Sequence, residues 1–284
     1  MSPATSAPLH VAQNITLPVL PQNLTYLLAA LGDGDIEIKA LAAIVERFPG
    51  IAGRLLALAN SAWAAPARPV SYLAGAISLL GMRVVRSASI ALAVARPFDP
   101  HRCPGFDAMR YWSSAFLVAE GMALLSPHVG AGRDGETYRS AGLLHNLGLL
   151  LLADIDPLRT DLSFKAVAAN QEIDLISVQR ATLGTDYCDI GGQLGTAWRL
   201  PAELTVVMRH HREPDYRGAH WHLAACCGVA VAMSTALWRG MAQMADMEGT
   251  HGLDIPQSAI DTVFGQMKTR QEYTRDLAQA LFSG

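Results

Sequence analysis

Apolar residues recur along most of this chain at the three- and four-residue spacing of α-helices, and no stretch alternates like a β-strand. In the first hundred residues the pattern predicts short helices divided by Gly- and Pro-containing breaks, at 24–31, 36–47, 51–60, 71–80 and 82–95. Farther along it predicts longer helices at 108–125, 136–154, 163–170, 173–183, 189–198, 201–211, 221–245 and 258–282. The sequence therefore predicts an all-α protein.

A stretch rich in Pro, Asp and His, at 99–104, is the best candidate for a boundary between two helical parts. The predicted organisation is a flexible tail at 1–14, an N-terminal helical subdomain at 15–100, and a helical bundle with a C-terminal helix at 101–284. The tail lacks the basic start and apolar segment of a signal peptide. The longest charge-free apolar run, 223–238, is shorter than a membrane span, so we expect a cytoplasmic protein without a membrane partner.

Composition narrows the class of protein further. The 284 residues are 51% hydrophobic and 17% charged, which is typical of a compact globular protein. A formal net charge of -3 predicts no global attraction to nucleic acid. The cysteines follow no CxxC spacing, so we expect them to be reduced and buried rather than metal-binding or disulfide-bonded. They are Cys103, Cys188, Cys226 and Cys227.

Two histidine-containing segments could carry chemistry. His145–Asn146, inside a Leu-rich run, looks like a metal-binding His–Asp pair whose carboxylate has become a neutral amide. His210–His211 could supply further ligands, although single buried histidines are usually core residues and His pairs often occupy polar helix ends. Residues 216–245 contain no Asp or Glu, and a two-metal hydrolase needs charged ligands. We therefore expect no metal, no cofactor and no catalytic residue.

A second pattern concerns positive charge. No acidic residue occurs from 47 to 98, whereas six arginines do, and Arg54, Arg83 and Arg86 are the candidate anion-binding residues among them. Such a stretch could meet a nucleotide, a nucleic acid or an acidic partner. Few polar residues suited to base contacts accompany them, so we favour arginines that merely cover solvent-facing helices. The glycines at 191, 192 and 195 follow no predicted strand, which favours helix packing over a phosphate loop.

An ordered set of short motifs resembles the HD-related output domain (HDOD) family of bacterial signalling proteins, relatives of the HD metal-dependent phosphohydrolases. The motifs are LPVLP at 17–21, RLLALANSA at 54–62, AISLLG at 76–81, GLLHNLG at 142–148, WRLP at 198–201 and RHHREP at 209–214. The resemblance implies an N-terminal helical part packed on an HD-like helical bundle. It also implies a regulatory role without a general enzymatic activity.

The HD ligand pattern is eroded when it is carried over to this chain. His145, His210 and His211 match the pattern. Asn146 stands where it has an Asp, Ser114 or its neighbour Ser113 replaces an upstream His, Tyr187 replaces another, and Ser234 lies near the place of a late Asp. The predicted remnant of the site comprises His145, Asn146, His210, His211, Ser114 and Tyr187.

The leading functional hypothesis is a non-catalytic output domain that binds a signalling protein, with the old pocket as a cleft for a ligand such as a cyclic nucleotide. One alternative is a residual metal-dependent phosphohydrolase that uses His145, Asn146, His210 and His211. Another is nucleic-acid binding through the arginines of the N-terminal part. The sequence gives no indication of oligomeric state.

Overall fold

The structure is a computed structural model that describes residues 17–18, 26–27, 30–31, 36–129, 135–170, 173–244 and 252–282. Over these residues the regular structure is helical and no strand occurs. The predicted all-α class is therefore confirmed. The predicted tail at 1–14 and half of the predicted helix at 24–31 lie outside the described residues.

The N-terminal part contains four labelled helices. They are α1 (Ile38–Glu46), α2 (Pro49–Ala59), α3 (Leu73–Leu80) and α4 (Met82–Ala95). Pro49 occupies the first position of α2, where its missing N–H costs no hydrogen bond. Gly81 joins α3 to α4 with a φ of 83°, a conformation that favours glycine, and the two helices bend by 113°.

The remaining helices are longer on average and follow one another closely. They are α5 (Ala108–Leu125), α6 (Gly135–Leu144), α7 (Leu147–Ile155), α8 (Pro157–Ala169), α9 (Leu175–Leu183), α10 (Tyr187–Ala197), α11 (Ala202–His210), α12 (Trp221–Trp238) and α13 (Gln257–Phe282). Four of them begin after an aspartate whose carboxylate accepts a backbone N–H of the first turn, which satisfies a group that the helix leaves unpaired. These aspartates are Asp107, Asp156, Asp174 and Asp186.

Three predicted boundaries were wrong. The single helix predicted at 136–154 is two helices, α6 and α7, because Asn146 leaves the helical conformation with φ -106° and ψ 16°. The leucine pattern continues across this break and therefore hides it. The helix predicted at 163–170 begins earlier, at Pro157, behind its Asp156 cap. The helix predicted at 221–245 ends at Trp238, and Gly240 follows with a φ of 73°.

Buried apolar side chains form two clusters. The first combines α1 to α4 with parts of α5, α7 and α10 and with the last turns of α13, through Leu277, Ala278 and Leu281. The second joins α5, α6, α12 and the first half of α13. The first cluster contains residues from both sides of the predicted boundary at 99–104, so the two parts share one apolar core.

Helix α12 has the length and apolar composition of a membrane span, with a mean hydropathy of 1.4 over Trp221–Trp238. The bent pair α3–α4 passes the same test only if it is counted as one broken span. This helix is two residues longer than the charge-free run at 223–238, because it also includes Trp221 and His222. The rest of the fold buries 67% of α12, so its apolar side chains pack within the protein core.

Candidate functional site

The turn between α6 and α7 carries His145 and Asn146, and both side chains are buried. His145 Nδ1 lies 2.6 Å from the carbonyl oxygen of Gly142, one turn earlier in α6. A carbonyl oxygen only accepts, so Nδ1 carries the proton and donates, while Nε2 keeps its lone pair. The helix break thus sets both the position and the tautomer of His145.

His211, just after the end of α11, meets this turn from the opposite side. Its ring centroid lies 5.1 Å from that of His145, with the planes at 90°. Its Nδ1 donates to the carbonyl of Val207 at 2.8 Å, so its Nε2 accepts from the hydroxyl of Tyr187 at 3.3 Å. The sulfur of Cys188 lies 3.9 Å from the same Nε2. We call this group the histidine pocket: His145, Asn146, Tyr187, Cys188 and His211.

The histidine pocket is electrically neutral. Burial lowers the pKa of His145 to about 4, because water no longer solvates the imidazolium. Burial, followed by the neighbouring His145, lowers the pKa of His211 well below its ordinary value. Burial also raises the pKa of Tyr187, whose hydroxyl keeps its proton and can donate it. At neutral pH the pocket therefore presents uncharged imidazoles and a phenol.

The first turn of α10 orients two members of the pocket. The buried carboxylate of Asp186 accepts the backbone N–H groups of Cys188 at 2.8 Å and Asp189 at 3.0 Å. It also accepts from Arg180 Nε at 2.6 Å. Asp186 thereby fixes the start of the helix from which Tyr187 reaches His211. Sequence reasoning missed Asp186 and Cys188 as parts of this region, although an Asp before a helical pattern is an N-cap signal.

Asn146 is the one pocket residue with an unsatisfied polar atom. Its Oδ1 is buried and has no hydrogen-bond partner within the described part of the chain. Leaving a buried acceptor unpaired costs about 1–3 kcal/mol, and an ionised carboxylate at this position would cost more. The amide supplies the pocket with a neutral oxygen and no negative charge.

Two members of the predicted site lie outside the histidine pocket. His210 bonds to Glu213, with 2.9 Å between Nδ1 and Oε2, and stacks on Tyr216 at 3.9 Å between ring centroids. Successive residues of a helix point about 100° apart, so His210 and His211 cannot both face the same neighbour. Ser114 is half-buried on α5, and no hydrogen bond of the described residues joins it to a pocket histidine.

The donor set does not fit the metal centre that the HD pattern implies. Across the described ranges, no three His, Cys, Asp or Glu side chains are grouped so that they could hold a metal ion. Of the two pocket imidazoles, that of His211 already accepts a hydrogen bond at Nε2 from the hydroxyl of Tyr187. A hydrolytic centre with two metals needs carboxylates to balance the ions and activate water. We therefore assign no step to a metal here.

The candidate anion-binding arginines have three different surroundings. Arg54 is exposed and donates to the carbonyl of Leu281 at 3.3 Å, near the end of α13. Arg83 is exposed and lines a cavity. Arg86 is buried, with its Nη1 4.0 Å from Glu136 Oε2, so the expectation that all six arginines cover solvent-facing surface was wrong for this residue. The segment 47–98 contains no acidic residue, but Glu136 of α6 lies beside Arg86 in the folded protein.

Glycines hold the helices around the pocket close together. A Cβ on Gly148 would collide with the backbone of Tyr187, and Gly191 packs on the other side of the same contact. A Cβ on Gly192 would strike Arg209, and one on Gly195 would press on Thr205. The prediction that the glycines at 191, 192 and 195 serve helix packing is confirmed. The cysteine prediction is confirmed too, since all four are free and buried.

The described helices and the histidine pocket define an HD-like helical domain. The family model of the HDOD domain matches residues 17–214. The chain therefore belongs to the HDOD family, and the resemblance seen in its motifs is confirmed.

Solved structures share this fold at low identity. A crystal structure named "Putative signal transduction protein", from Marinobacter aquaeolei VT8, superposes with a TM-score of 0.81 at 24% identity, over 93% of this chain and 60% of that one. A "Putative phosphohydrolase" of Shewanella amazonensis SB2B gives 0.72 at 23%, over 93% and 95%. An HDOD domain protein with unknown function from Geobacter sulfurreducens gives 0.70 at 18%, over 95% of each chain.

A curated uncharacterized protein of Treponema pallidum (strain Nichols) is 21% identical over 201 residues, which are 70% of this chain and 38% of that protein. The chain thus spans less than two thirds of this relative and of the Marinobacter protein. Because all these identities are below 25%, the similarity to these proteins supports a shared fold only.

Proposed function

We propose that this chain is a non-catalytic regulatory domain that works in the cytoplasm by binding a signalling protein. The observation that carries the proposal is the state of the histidine pocket. None of its five residues carries a carboxylate, and the neutral amide of Asn146 follows His145, so nothing in the pocket balances the charge of a divalent ion. The pocket therefore lacks the negative charge that a hydrolytic metal centre needs.

A structural role for the pocket accounts for its contacts. His145 ties the break after α6 to Gly142, while His211 joins the end of α11 to Tyr187 on α10. Uncharged hydrogen-bonded side chains can be buried at small cost, whereas a metal centre stripped of ligands would leave charge unbalanced. The pocket thus serves as a rigid joint between helices. Signalling through a partner agrees with HDOD membership and with the name of the Marinobacter relative.

Metal content and turnover test this proposal together. The protein is purified without chelator, its Mn, Fe, Ni, Zn and Mg are measured by plasma mass spectrometry, and hydrolysis of bis(p-nitrophenyl) phosphate and cyclic dinucleotides is followed with each metal added. We expect less than stoichiometric metal and no turnover above the His145→Ala variant. One or more metals per chain, lost in His145→Ala but kept in the surface variant His210→Ala, together with hydrolysis, would establish the residual phosphohydrolase instead.

A further inference from the structure

A cavity of about 410 Å³ lies between α4, α5 and the C-terminal half of α13, away from the histidine pocket. Its volume falls within the range of roughly 300–1,000 Å³ that is usual for small-molecule sites. It brings together residues that are far apart in sequence, and it shares no lining residue with the histidine pocket. The lining residues are Arg83, Val84, Ser87, Phe116, Glu120, Thr269, Arg270, Tyr273, Thr274 and Leu277.

The charges in the cavity wall leave an excess of positive charge. Glu120 bonds to Arg139 and, at 3.1 Å, to Arg270, so its carboxylate is shared between two guanidinium groups. Arg83 forms no ion pair with any described residue. One unbalanced guanidinium at the mouth therefore remains for a negatively charged group, and guanidinium groups bind sulfonate, phosphate and carboxylate oxygens well.

The rest of the wall is apolar and partly aromatic. Phe116, Val84 and Leu277 supply the inner surface, and the ring of Tyr273 packs 5.1 Å from that of Trp63 at the outer side. Such a surface gains free energy by covering an apolar ring, and aromatic side chains favour another aromatic ring. The wall therefore favours a ligand that consists mainly of aromatic rings and carries a charged group at one end.

We propose that this cavity binds a small monoanionic aromatic molecule, with its acidic group at Arg83 and its ring against Phe116 and Tyr273. The site is distinct from the histidine pocket, and its occupation does not depend on the proposed partner binding. Helix α6 connects the two regions: Arg139 in this helix bonds to Glu120 of the cavity wall, and the helix ends directly before His145. The Glu120–Arg139 ion pair thus joins the cavity wall to the helix that precedes the histidine pocket.

The test uses two fluorescent probes that differ in charge. 8-Anilinonaphthalene-1-sulfonate is aromatic and carries one negative charge, whereas N-phenyl-1-naphthylamine has the same rings without the sulfonate. We expect the wild-type protein to bind the anionic probe about tenfold more tightly than the neutral one, the usual size of one charge-assisted contact. Equal dissociation constants for the two probes would overturn the proposal.

Paired variants locate the binding. Arg83→Gln should abolish the preference for the anionic probe, while Arg68→Gln, which removes another exposed arginine of the same segment, should keep it. Thr269→Trp, at an exposed position of the lining, should block both probes. Thr262→Trp, exposed on the same helix but outside the cavity, should bind both normally. Circular dichroism checks that each variant is folded; unchanged binding in folded Thr269→Trp would also overturn the assignment.

Discussion

The imidazoles of His145 and His211 illustrate how burial controls chemistry at the scale of single residues. Each gives its Nδ1–H to a carbonyl of its own helical segment, and each has a pKa lowered by loss of solvent. This tautomer leaves Nε2 of His145 with its lone pair, whereas Nε2 of His211 already accepts from Tyr187, so the imidazoles alone do not exclude a metal. The residues of the histidine pocket include no carboxylate, and position 146 carries a neutral amide.

The stability of the fold should fall in acid because of His145. Its pKa is about 4 in the folded protein and about 6.5 in an unfolded chain, so between these values the unfolded state binds more protons. Above about pH 6.5 the free energy of unfolding does not depend on this imidazole's protonation. As the pH falls from there toward about 4, the free energy of unfolding decreases by on the order of 3 kcal/mol. Urea unfolding at neutral and acid pH measures this loss.

Substitution at His145 should reduce that dependence. In His145→Gln the difference in unfolding free energy between neutral and acid pH should shrink, whatever the absolute stability of the variant. His128→Gln, which removes an exposed imidazole, is the matched control and should behave as the wild type does. An unaltered pH dependence in His145→Gln would show that this imidazole is not the buried titrating group.

Placing an aspartate at position 146 should not create a metal site. Asn146→Asp places a carboxylate in a buried pocket whose other members are neutral, so the variant should lose about 1–3 kcal/mol of stability at neutral pH. Plasma mass spectrometry should find less than one metal ion per chain. Among the described residues, no group of acidic, His or Cys side chains is placed to hold a metal ion together with the new aspartate. Stoichiometric Mn or Fe in this variant would contradict the proposed function.

At the scale of helices, glycines decide how closely the elements approach. Gly142 packs against the backbone of Ala119 on α5, and Gly148 packs against α10 at Tyr187. These two glycines lie on either side of the His145–Asn146 turn, so they position the turn against two neighbouring helices. A close approach between backbones leaves no flexible side chain that could move aside.

Two alanine substitutions separate packing from helix propensity. Gly148→Ala should destabilise the protein by about 3 kcal/mol or more, because its new Cβ meets the backbone of Tyr187. Gly53→Ala, in the exposed interior of α2 with nothing near its Cβ, should stabilise it by up to about 1 kcal/mol through better helix propensity. Chemical denaturation gives both values. Similar effects at the two positions would mean that α7 and α10 are not in close contact.

At the scale of the whole molecule, the last helix closes the first core. Trp112 of α5 stacks on Phe282 at 4.4 Å, Arg54 of α2 donates to the carbonyl of Leu281, and Leu281 itself is buried in the first apolar cluster. The start of the same helix belongs to the second cluster, through residues such as Phe264. Helix α13 therefore links both clusters.

Because one core spans the predicted boundary at 99–104, the two parts should unfold together. Leu281→Ala should lower the unfolding free energy by about 3 kcal/mol while keeping a single transition, since a buried leucine is truncated. Leu158→Ala, at a leucine that is 75% exposed, should change it by no more than about 0.5 kcal/mol. Circular dichroism and tryptophan fluorescence should report coincident curves; two separate transitions would show that the parts are independent domains.

The sequence by itself determined the helical class, most helix positions and the family. These features depend on local spacing: apolar periodicity sets the face of a helix, and the limits of 108–125 and 82–95 agree with α5 and α4. It did not determine where the leucine-rich segment 136–154 breaks, because the apolar pattern is the same on both sides of Asn146.

Tertiary structure alone decided which residues share a site. It placed His211 rather than His210 beside His145, because adjacent helical residues point in different directions and only packing selects the inward one. It also buried Arg86 by bringing Glu136 from another helix, and it formed the cavity at Arg83 from three helices far apart in sequence. Burial and charge balance depend on neighbours that local spacing does not encode, so the fold, and not the motif, sets the chemistry of this site.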